Sequence, residues 1–307
     1  MTDTSTKCKA QISHKLLQKR DLEPCFWINE HVYTGYRPTN LPPLQYVKWI
    51  FQWNNETINI WTHLIGFIYF TWSQYNANFN ILPSANAYLL DHVIITICIF
   101  GLQICMLLSS LYHIFGCISA EQRYFLLRMD VFGISLGLIS IYVMGIYSAF
   151  LCFEVWQKSY SAFLLGLSLI MIYLPWNINV ASMSLIGSQF SYAHLTYFII
   201  VTLSLAPMIH WIVLHGGFTS THVLQWLPNL LILYVLAGSA FIFHISMIPE
   251  RFKHGTFDFI ACSHQWWHVI ILLAMRFWQN SSLEYLALHR AYPDYCSTLC
   301  PLSNVTK

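Results

Sequence analysis

Seven long apolar stretches constrain the fold of this chain more than any other feature of its sequence. A helix needs about 20 mostly apolar residues to cross the hydrocarbon core of a bilayer. Seven segments reach this length, at approximately residues 57–75, 92–115, 126–149, 159–178, 192–214, 226–247 and 260–279. The far end of the fourth is the least regular, because Pro175 and two asparagines interrupt it. The sequence therefore predicts an all-α, polytopic membrane protein with seven transmembrane helices.

The composition excludes two other classes of protein. Hydrophobic residues make up 56% of the 307 residues and charged residues only 9%, whereas soluble domains contain about 25% charged residues. So few charges do not cover a soluble surface, and we expect contacts with membrane lipids. The net charge of +2 is too small to indicate a nucleic-acid-binding protein. We therefore expect no nucleic-acid partner.

The distribution of lysine and arginine predicts the orientation in the membrane, because cytoplasmic segments carry an excess of both. With the N-terminus inside, eleven of these residues fall on the cytoplasmic side and three on the other, while Arg276 lies within the last span. The predicted organisation has three parts. A cytoplasmic N-terminal segment, 1–56, precedes a seven-helix membrane domain, 57–279, and a lumenal or extracellular C-terminal tail, 280–307.

A group of ionisable residues inside the predicted helices marks the candidate site, since such residues are costly in a membrane. The helix directions bring four of them to one depth near the cytoplasmic ends: His113, Asp130, His264 and His268. His264 and His268 are four residues apart and share one helix face, and the same spacing places Ser109 over His113. Three imidazoles with one open position are the ligand set of a catalytic Zn²⁺. The sequence thus predicts a Zn²⁺ site in which Asp130 holds or deprotonates a water molecule and Ser109 supports it.

Several other polar residues have a simpler interpretation. A single histidine in a membrane helix is more often an interhelical hydrogen-bonding group than a ligand, and we assign His63, His194 and His210 to that class. His244 and Glu56 are candidates for a supporting position beside the ligands, although a carboxylate at Glu56 also suits the start of a helix. In the absence of a metal ion, the main cluster would itself be a hydrogen-bonding group.

Two segments outside the spans carry weaker predictions. Residues 33–38 predict an ordered strap across the membrane face, which either packs on the protein or binds a partner. Cys152 is interpreted as a small buried hydrophobic residue. Cys296 and Cys300 are close enough in the C-terminal tail to form a disulfide if the tail faces an oxidising compartment.

Four motifs resemble a known family, the progestin and adipoQ receptors, which include the haemolysin III proteins. The motifs are NNETINIWTHLIGF, SSLYH, DVFGIS and SHQWWH, and the similarity extends over residues 29–295. The resemblance implies seven spans, an intracellular N-terminus and Zn²⁺ held by His113, His264 and His268. It also implies that Asp130 is the carboxylate linked to the metal through water and that Ser109 is its hydrogen-bonding partner.

The resemblance leaves two functions open. The stretches VYTGYRP, HWIVLHGG and ISMIPERF are most similar to a Golgi member of the family that traps a Raf-type kinase. This similarity implies a membrane receptor or signalling regulator with structural zinc, in which the basic N-terminal segment binds a kinase at the Golgi membrane. The plasma membrane is the alternative location. The alternative function is a zinc-dependent intramembrane hydrolase that cleaves the amide of a ceramide-like lipid, with Asp130 moving the proton.

Overall fold

The computed structural model describes residues 15–177, 184–186, 190–292 and 296, and nine helices of at least seven residues lie in this part of the chain. They are α1, Pro43–Trp49; α2, Thr57–Asn76; α3, Leu89–Phe115; α4, Ala120–Ala149; α5, Glu154–Tyr173; α6, Tyr192–Leu203; α7, Leu205–Leu214; α8, Thr221–Ser246; and α9, Ser263–Ala291. The shorter helical turns are Lys19–Asp21, Pro24–Phe26, Ala77–Ile81, Leu82–Ser84, Leu174–Trp176 and Gly217–Thr219. Two short antiparallel strands, β1 (Ser184–Ile186) and β2 (Phe190–Ser191), precede α6.

The long helices agree with the seven apolar stretches of the sequence, with α6 and α7 together forming the fifth. In the described part of the chain, five segments are long and apolar enough to cross a membrane: Leu89–Phe115, Ala120–Ala149, Glu154–Trp176, Tyr192–Leu214 and Thr221–Ser246. The first and last, α2 and α9, are more polar and bury residues such as Asn59 and Gln279. The predicted all-α, multi-pass membrane fold is confirmed. The count of seven spans and the orientation of the termini stay predictions.

Two prolines explain where the helices depart from regular spans. Proline has no N–H to donate to the carbonyl one turn earlier, so a helix tends to end or break before it. The regular part of α5 ends at Tyr173, and Pro175 lies in the 3₁₀ turn that follows. The fifth segment breaks between α6 and α7 at Ser204, because Pro207 cannot donate to the carbonyl of Leu203.

The buried face of α3 leads to the candidate site. Its buried residues recur at intervals of three and four, which is the period of a helix that buries one face. They include Ile95, Cys98, Ile99, Leu102, Cys105, Met106, Ser109 and His113. The polar Ser109 and His113 therefore continue the inward face of the apolar core. We call the end of the bundle where α3 ends and α4 and α9 begin the site end.

Close packing of α4 on α3 brings Asp130 towards the same region. A Cβ atom added at Gly133 would lie 3.1 Å from the Cα of Cys105 in α3. Glycine at this position therefore permits the two backbones to approach closely. Asp130 lies three residues earlier in α4, about one helical turn away. In the DVFGIS motif, Gly133 thus makes the contact between the two helices, and Asp130 places a carboxylate one turn away from that contact.

Chain segments before α2 and between α8 and α9 cover the site end. Val32, Tyr36 and Cys262 form a buried cluster there, and Tyr36 pairs with Leu17 through two backbone hydrogen bonds of 2.7 and 3.2 Å. Arg37 is also buried. Of the two interpretations of the predicted strap, packing on the protein is therefore the one that these residues adopt.

A disulfide bond lies at the end of the bundle opposite to the site end. Cys152, in the turn between α4 and α5, is bonded to Cys296, and their Cα atoms are 5.4 Å apart. The pairing of Cys296 with Cys300 and the interpretation of Cys152 as a buried hydrophobic residue are therefore wrong. The physical reason is that α9 continues to Ala291, so the chain beyond it reaches the turn between α4 and α5.

A buried ion pair joins three helices at this opposite end. Asp91, at the start of α3, is fully buried. Arg290, near the end of α9, donates from Nε and Nη2 to the two carboxylate oxygens at 2.7 and 2.8 Å. The Tyr147 hydroxyl, near the end of α4, donates to the same carboxylate at 2.6 Å. This bidentate pair fixes the helix ends relative to one another.

Candidate metal centre

His113 lies in the last turn of α3 and is 2% exposed. Its Nδ1 atom is 2.8 Å from Oε2 of Glu56. Because an ionised carboxylate only accepts hydrogen bonds, Nδ1 carries the proton and Nε2 keeps its lone pair. Nε2 is buried and has no hydrogen-bonding partner among the described residues. His113 is therefore in the tautomer that a metal ligand needs.

His264 and His268 lie in the first two turns of α9 with their Nε2 atoms 3.2 Å apart. Two nitrogen atoms at the usual zinc distance and a tetrahedral angle would be about 3.3–3.4 Å apart. The observed separation is therefore close to that of two ligands on one ion. Such an arrangement follows from the four-residue spacing, which places both rings on one face of the helix.

The three imidazoles converge at the site end. The candidate ligand atoms of His113, His264 and His268 all lie within 4.8 Å of one another. Within the described ranges, this is the one group of three or more His, Cys, Asp or Glu side chains that comes so close. Three converging imidazole nitrogens, two from buried residues and one from the half-buried His264, fit the chemistry of Zn²⁺. The structure thus brings together the three residues that the sequence predicts as ligands.

Glu56 is hydrogen-bonded to His113, and its role as support of a metal ligand stays a prediction. Its Oε2 atom accepts hydrogen bonds from His113 and, at 2.6 Å, from Asn59. Burial alone would raise the pKa of this carboxyl group, but His113 and the nearby Arg37 guanidinium outweigh burial and hold the pKa well below its usual range. An ionised carboxylate behind a metal-binding histidine fixes the ring and increases its basicity.

Asp130 and Ser109 lie beside the three histidines without joining the ligand group. Ser109 and His113 both lie close enough to the Asp130 carboxylate to interact with it electrostatically. This placement suits a group that contacts a metal-bound ligand rather than the metal ion. The role predicted for Asp130 and Ser109 stays a prediction.

His244 lies next to the site but is engaged elsewhere. Its ring centroid is 5.6 Å from that of His264, and its Nε2 atom is 3.1 Å from Nε2 of His194. Because the backbone N–H of Ser191 donates to Nδ1 of His194, a neutral His194 carries its proton on Nε2 and donates it to His244. The interhelical role predicted for His194 is confirmed, as is that of His210, which bonds to the Tyr160 hydroxyl at 2.9 Å.

His63 is a residue whose position the sequence reasoning missed. Its ring lies against His268 with a centroid distance of 4.0 Å. Both ring nitrogens are buried and have no hydrogen-bonding partner among the described residues, so the assignment of His63 as an interhelical hydrogen-bonding group is wrong. The available signal was its spacing: Glu56, Asn59 and His63 recur at the three- and four-residue intervals of one helix face.

A second set of three buried histidines lies at the opposite end: His215, His222 and His289. The rings of His215 and His222 are stacked 4.8 Å apart. In this set Nδ1 of His215 donates to the carbonyl of Trp211 and Nδ1 of His289 to that of Tyr285, while Nε2 of His215 has no hydrogen-bonding partner among the described residues. Nε2 of His222 bonds to the Tyr285 hydroxyl at 2.9 Å.

Comparison with known proteins agrees with this architecture. Residues 51–279 match the family described as haemolysin-III related. The mouse protein named progestin and adipoQ receptor family member 3 is 34% identical over 278 residues, which cover 88% of this chain and 86% of that protein. The heptahelical transmembrane protein 1 of Arabidopsis thaliana is 29% identical over 230 residues, which cover 73% of this chain and 67% of that protein.

A more distant relative extends the same similarity. The adiponectin receptor protein of Drosophila melanogaster is 27% identical over 305 residues, which cover 96% of this chain and 64% of that protein. The match to the family runs from before α2 into α9 and includes the three converging histidines. This chain therefore belongs to the haemolysin-III related family of multi-pass membrane proteins, which contains the progestin and adipoQ receptors.

Proposed function

We propose that this protein is a receptor-type signalling regulator of the Golgi membrane with a structural Zn²⁺ held by His113, His264 and His268. Its cytoplasmic face binds and restrains a Raf-type kinase. The observation that carries the proposal is the convergence of three imidazoles whose ligand atoms lie within 4.8 Å of one another. The similarity to progestin and adipoQ receptor family member 3 supports the signalling role.

The zinc ion would join two helices that are far apart in the sequence. His113 belongs to α3, and the other two ligands belong to α9. Binding by neutral imidazoles adds to the stability of the folded state, since an unfolded chain does not present the three ligands together. The role of Glu56 is to hold the His113 ring in the tautomer and orientation that present Nε2 to the ion.

Two independent features support an orientation with the site end in the cytoplasm. The lysines and arginines are concentrated in the segments of that end. The disulfide between Cys152 and Cys296 lies at the opposite end, and disulfides persist in oxidising compartments such as the secretory lumen. The C-terminal tail then faces the lumen, and the N-terminal segment faces the cytoplasmic kinase.

Kinase recruitment is tested by deleting residues 1–14 rather than the whole N-terminal segment. A longer deletion would remove buried residues such as Val32 and Arg37, which pack on the bundle, and would confuse unfolding with loss of a partner. We expect the deletion, combined with Arg20→Glu and Lys253→Glu at exposed basic positions, to reduce kinase accumulation at the Golgi. The measurement is co-localisation in cells, with deletion of residues 301–307 as the control. Unchanged recruitment would contradict the tethering role.

The position of Asp130 favours amide hydrolysis as the second candidate function. A bound Zn²⁺ would supply a water-derived nucleophile at neutral pH. Asp130, with its Ser109 partner beside His113, would accept the proton and pass it to the leaving amine. The test is hydrolysis of a fluorescent ceramide by the purified protein and by Asp130→Asn. Turnover that persists in Asp130→Asn, or its absence in the zinc-containing wild type, would exclude this mechanism.

A further inference from the structure

The strap of residues 33–38 continues residues 29–32, and the whole segment contacts both helix ends that carry the candidate ligands. We extend the name strap to residues 29–38. The first contact is made by Arg37, which is 4% exposed. Its Nη1 atom donates to the carbonyl of Ile114 at 2.9 Å and its Nη2 atom to the carbonyl of His113 at 2.5 Å. The last carbonyls of a helix lack partners within the helix, and a cation there complements the helix dipole. Arg37 therefore fixes the turn of α3 to which His113 belongs.

The second contact passes through Glu250, which is fully buried in the segment between α8 and α9. Its Oε2 atom accepts the backbone N–H of Ser263 at 2.8 Å, and its Oε1 atom accepts the Ser263 hydroxyl at 2.5 Å. Ser263 is the first residue of α9, and the preceding Cys262 forms no side-chain cap. Glu250, 13 residues before Ser263, thus performs the capping role for α9.

Glu250 is also the point where the strap is attached. The side-chain amide of Asn29 donates to Oε1 of Glu250 at 2.8 Å. No ion pair of Glu250 occurs within the described ranges, so its buried carboxylate depends on these three hydrogen-bond donors. Loss of the strap would therefore weaken the cap at the helix end that presents His264 and His268.

A third connection joins the strap to the start of α2. The side-chain amide of Gln265 donates to the carbonyl of Asn55 at 3.2 Å, and the backbone N–H of Asn55 donates to the carbonyl of Gly35 at 3.0 Å. Gly35 has a φ of +84°, and a Cβ atom there would lie 3.0 Å from the ring of Phe259. The strap therefore follows a close path between α2 and α9, beside Glu56.

We propose that Arg37 and Glu250 are positioning residues of the metal centre, which act through the strap. They hold the last turn of α3 and the first turn of α9 at the separation that lets three histidines bind one ion. The proposal rests on the proposed function only in requiring that these histidines bind Zn²⁺. Because coupling between two sites is reciprocal, a bound ion also stabilises the strap in its packed position.

Neither Arg37 nor Glu250 forms a hydrogen bond to one of the candidate imidazoles. The hydrogen bonds of Arg37 go to main-chain carbonyls, and those of Glu250 come from Ser263 and Asn29. A change at either residue would thus leave the chemical identity of the ligands intact. Its expected effect is on the geometry of the site, and therefore on the rate at which zinc is released.

The test compares zinc release from purified wild type, Arg37→Gln and Glu250→Gln after addition of a chromogenic chelator. The matched controls are Arg20→Gln and Glu154→Gln, whose side chains are 80% and 75% exposed. We expect the two buried variants to release zinc at least about tenfold faster, the lower limit of the range for residues that support metal ligands. The controls should behave as the wild type does.

Two milder variants keep the test decisive if a glutamine variant fails to fold. Asn29→Ala removes the attachment of the strap and leaves the Glu250 cap, and Arg37→Lys restores a cation without the paired donors. Both should release zinc at rates between those of the wild type and the glutamine variants. In thermal melts, all four changes should reduce the stabilisation that zinc gives relative to the metal-free protein, an effect that a general loss of stability would not produce.

The outcomes separate this proposal from the function on which it rests. If the wild type contains zinc and Arg37→Gln, Glu250→Gln and Asn29→Ala all release it at the wild-type rate, the positioning role is wrong. If the well-folded wild type contains no zinc, the metal centre itself is wrong, and the positioning role is wrong with it.

Discussion

Each end of the bundle contains a group of three histidines contributed by neighbouring elements, yet only one of the two groups fits a metal ion. At the opposite end, Nδ1 of His215, Nε2 of His222 and Nδ1 of His289 form hydrogen bonds to carbonyl or hydroxyl groups, and Nε2 of His215 has no partner within the described ranges. At the site end, Nε2 of His113 has no partner within the described ranges, and Nε2 of His268 has His264 as its neighbour.

This difference shows what distinguishes a candidate metal site from a histidine cluster. Histidine rings with centroids 4.8 Å apart occur at both ends. The distinguishing property is the convergence of three ligand atoms: within the described ranges, only those of His113, His264 and His268 lie within 4.8 Å of one another, and the partner of the other ring nitrogen helps to orient such a ring. A carboxylate bonded to Nδ1 of His113 directs Nε2 towards the other two rings, whereas at the opposite end aromatic residues and the helix backbone provide the partners.

The largest expected effect is loss of the metal ion from His264→Ala/His268→Ala. Without two of its three ligands, the site should no longer hold zinc, and the zinc content should fall from about one ion per chain to none. Elemental analysis of the detergent-purified protein measures this. The matched change at the opposite end, His215→Ala/His222→Ala, should leave the zinc content unchanged. Loss of zinc from His215→Ala/His222→Ala, with zinc retained in His264→Ala/His268→Ala, would place the metal site at the opposite end.

The next effect in size is a weaker site in Glu56→Gln. A neutral amide holds the Nδ1 proton of His113 less strongly than a carboxylate does, and losing such a partner typically costs about 10- to 100-fold in metal affinity. Competition with a calibrated chelator gives the affinity. Glu284→Gln, at an exposed position on α9, is the control. Equal affinity in both variants would mean that Glu56 does not support the ligand.

A smaller effect is expected for His244→Ala. This residue is near His264, but its Nε2 atom is bonded to His194. Zinc affinity should therefore fall by less than about tenfold, below the range for residues that bond directly to a ligand. The same chelator competition decides the point. A loss as large as that of Glu56→Gln would make His244 part of the support of the site.

Asp91→Asn should leave zinc unaffected while lowering stability. The change leaves the largely buried Arg290 without its carboxylate, and breaking such a pair costs about 3 kcal/mol. Thermal melting should show a lower midpoint, while zinc content stays at the wild-type level. Zinc loss in this variant would indicate that the two ends are not independent.

The metal-ligand candidates were predictable because they follow local rules. The depth of His113 came from the length and direction of its helix, and the pairing of His264 with His268 came from their spacing of four residues. The role of Arg37 was not predictable in the same way. It donates to a carbonyl 76 residues away, and nothing in a periodic pattern encodes that contact.

The remaining contacts that escaped prediction have the same origin. Asn29 and Glu250 are 221 residues apart, and Cys152 and Cys296 are 144 residues apart. Such pairs are determined by how the loops pack after the helices have assembled. Sequence patterns predict the helices and the faces they bury, whereas the connections across the two ends depend on tertiary structure.

The disulfide between Cys152 and Cys296 has a consequence for biosynthesis. Cys152 is made 144 residues before its partner, so its thiol stays unpaired while α5 to α9 are translated and inserted. With the tail in the lumen, as proposed, the bond forms only after the last helix has crossed the membrane. A chain truncated before residue 296 would expose a free thiol to the oxidoreductases of the endoplasmic reticulum. The bond thus forms only in chains that have been synthesised as far as Cys296 and whose C-terminal half has been inserted correctly.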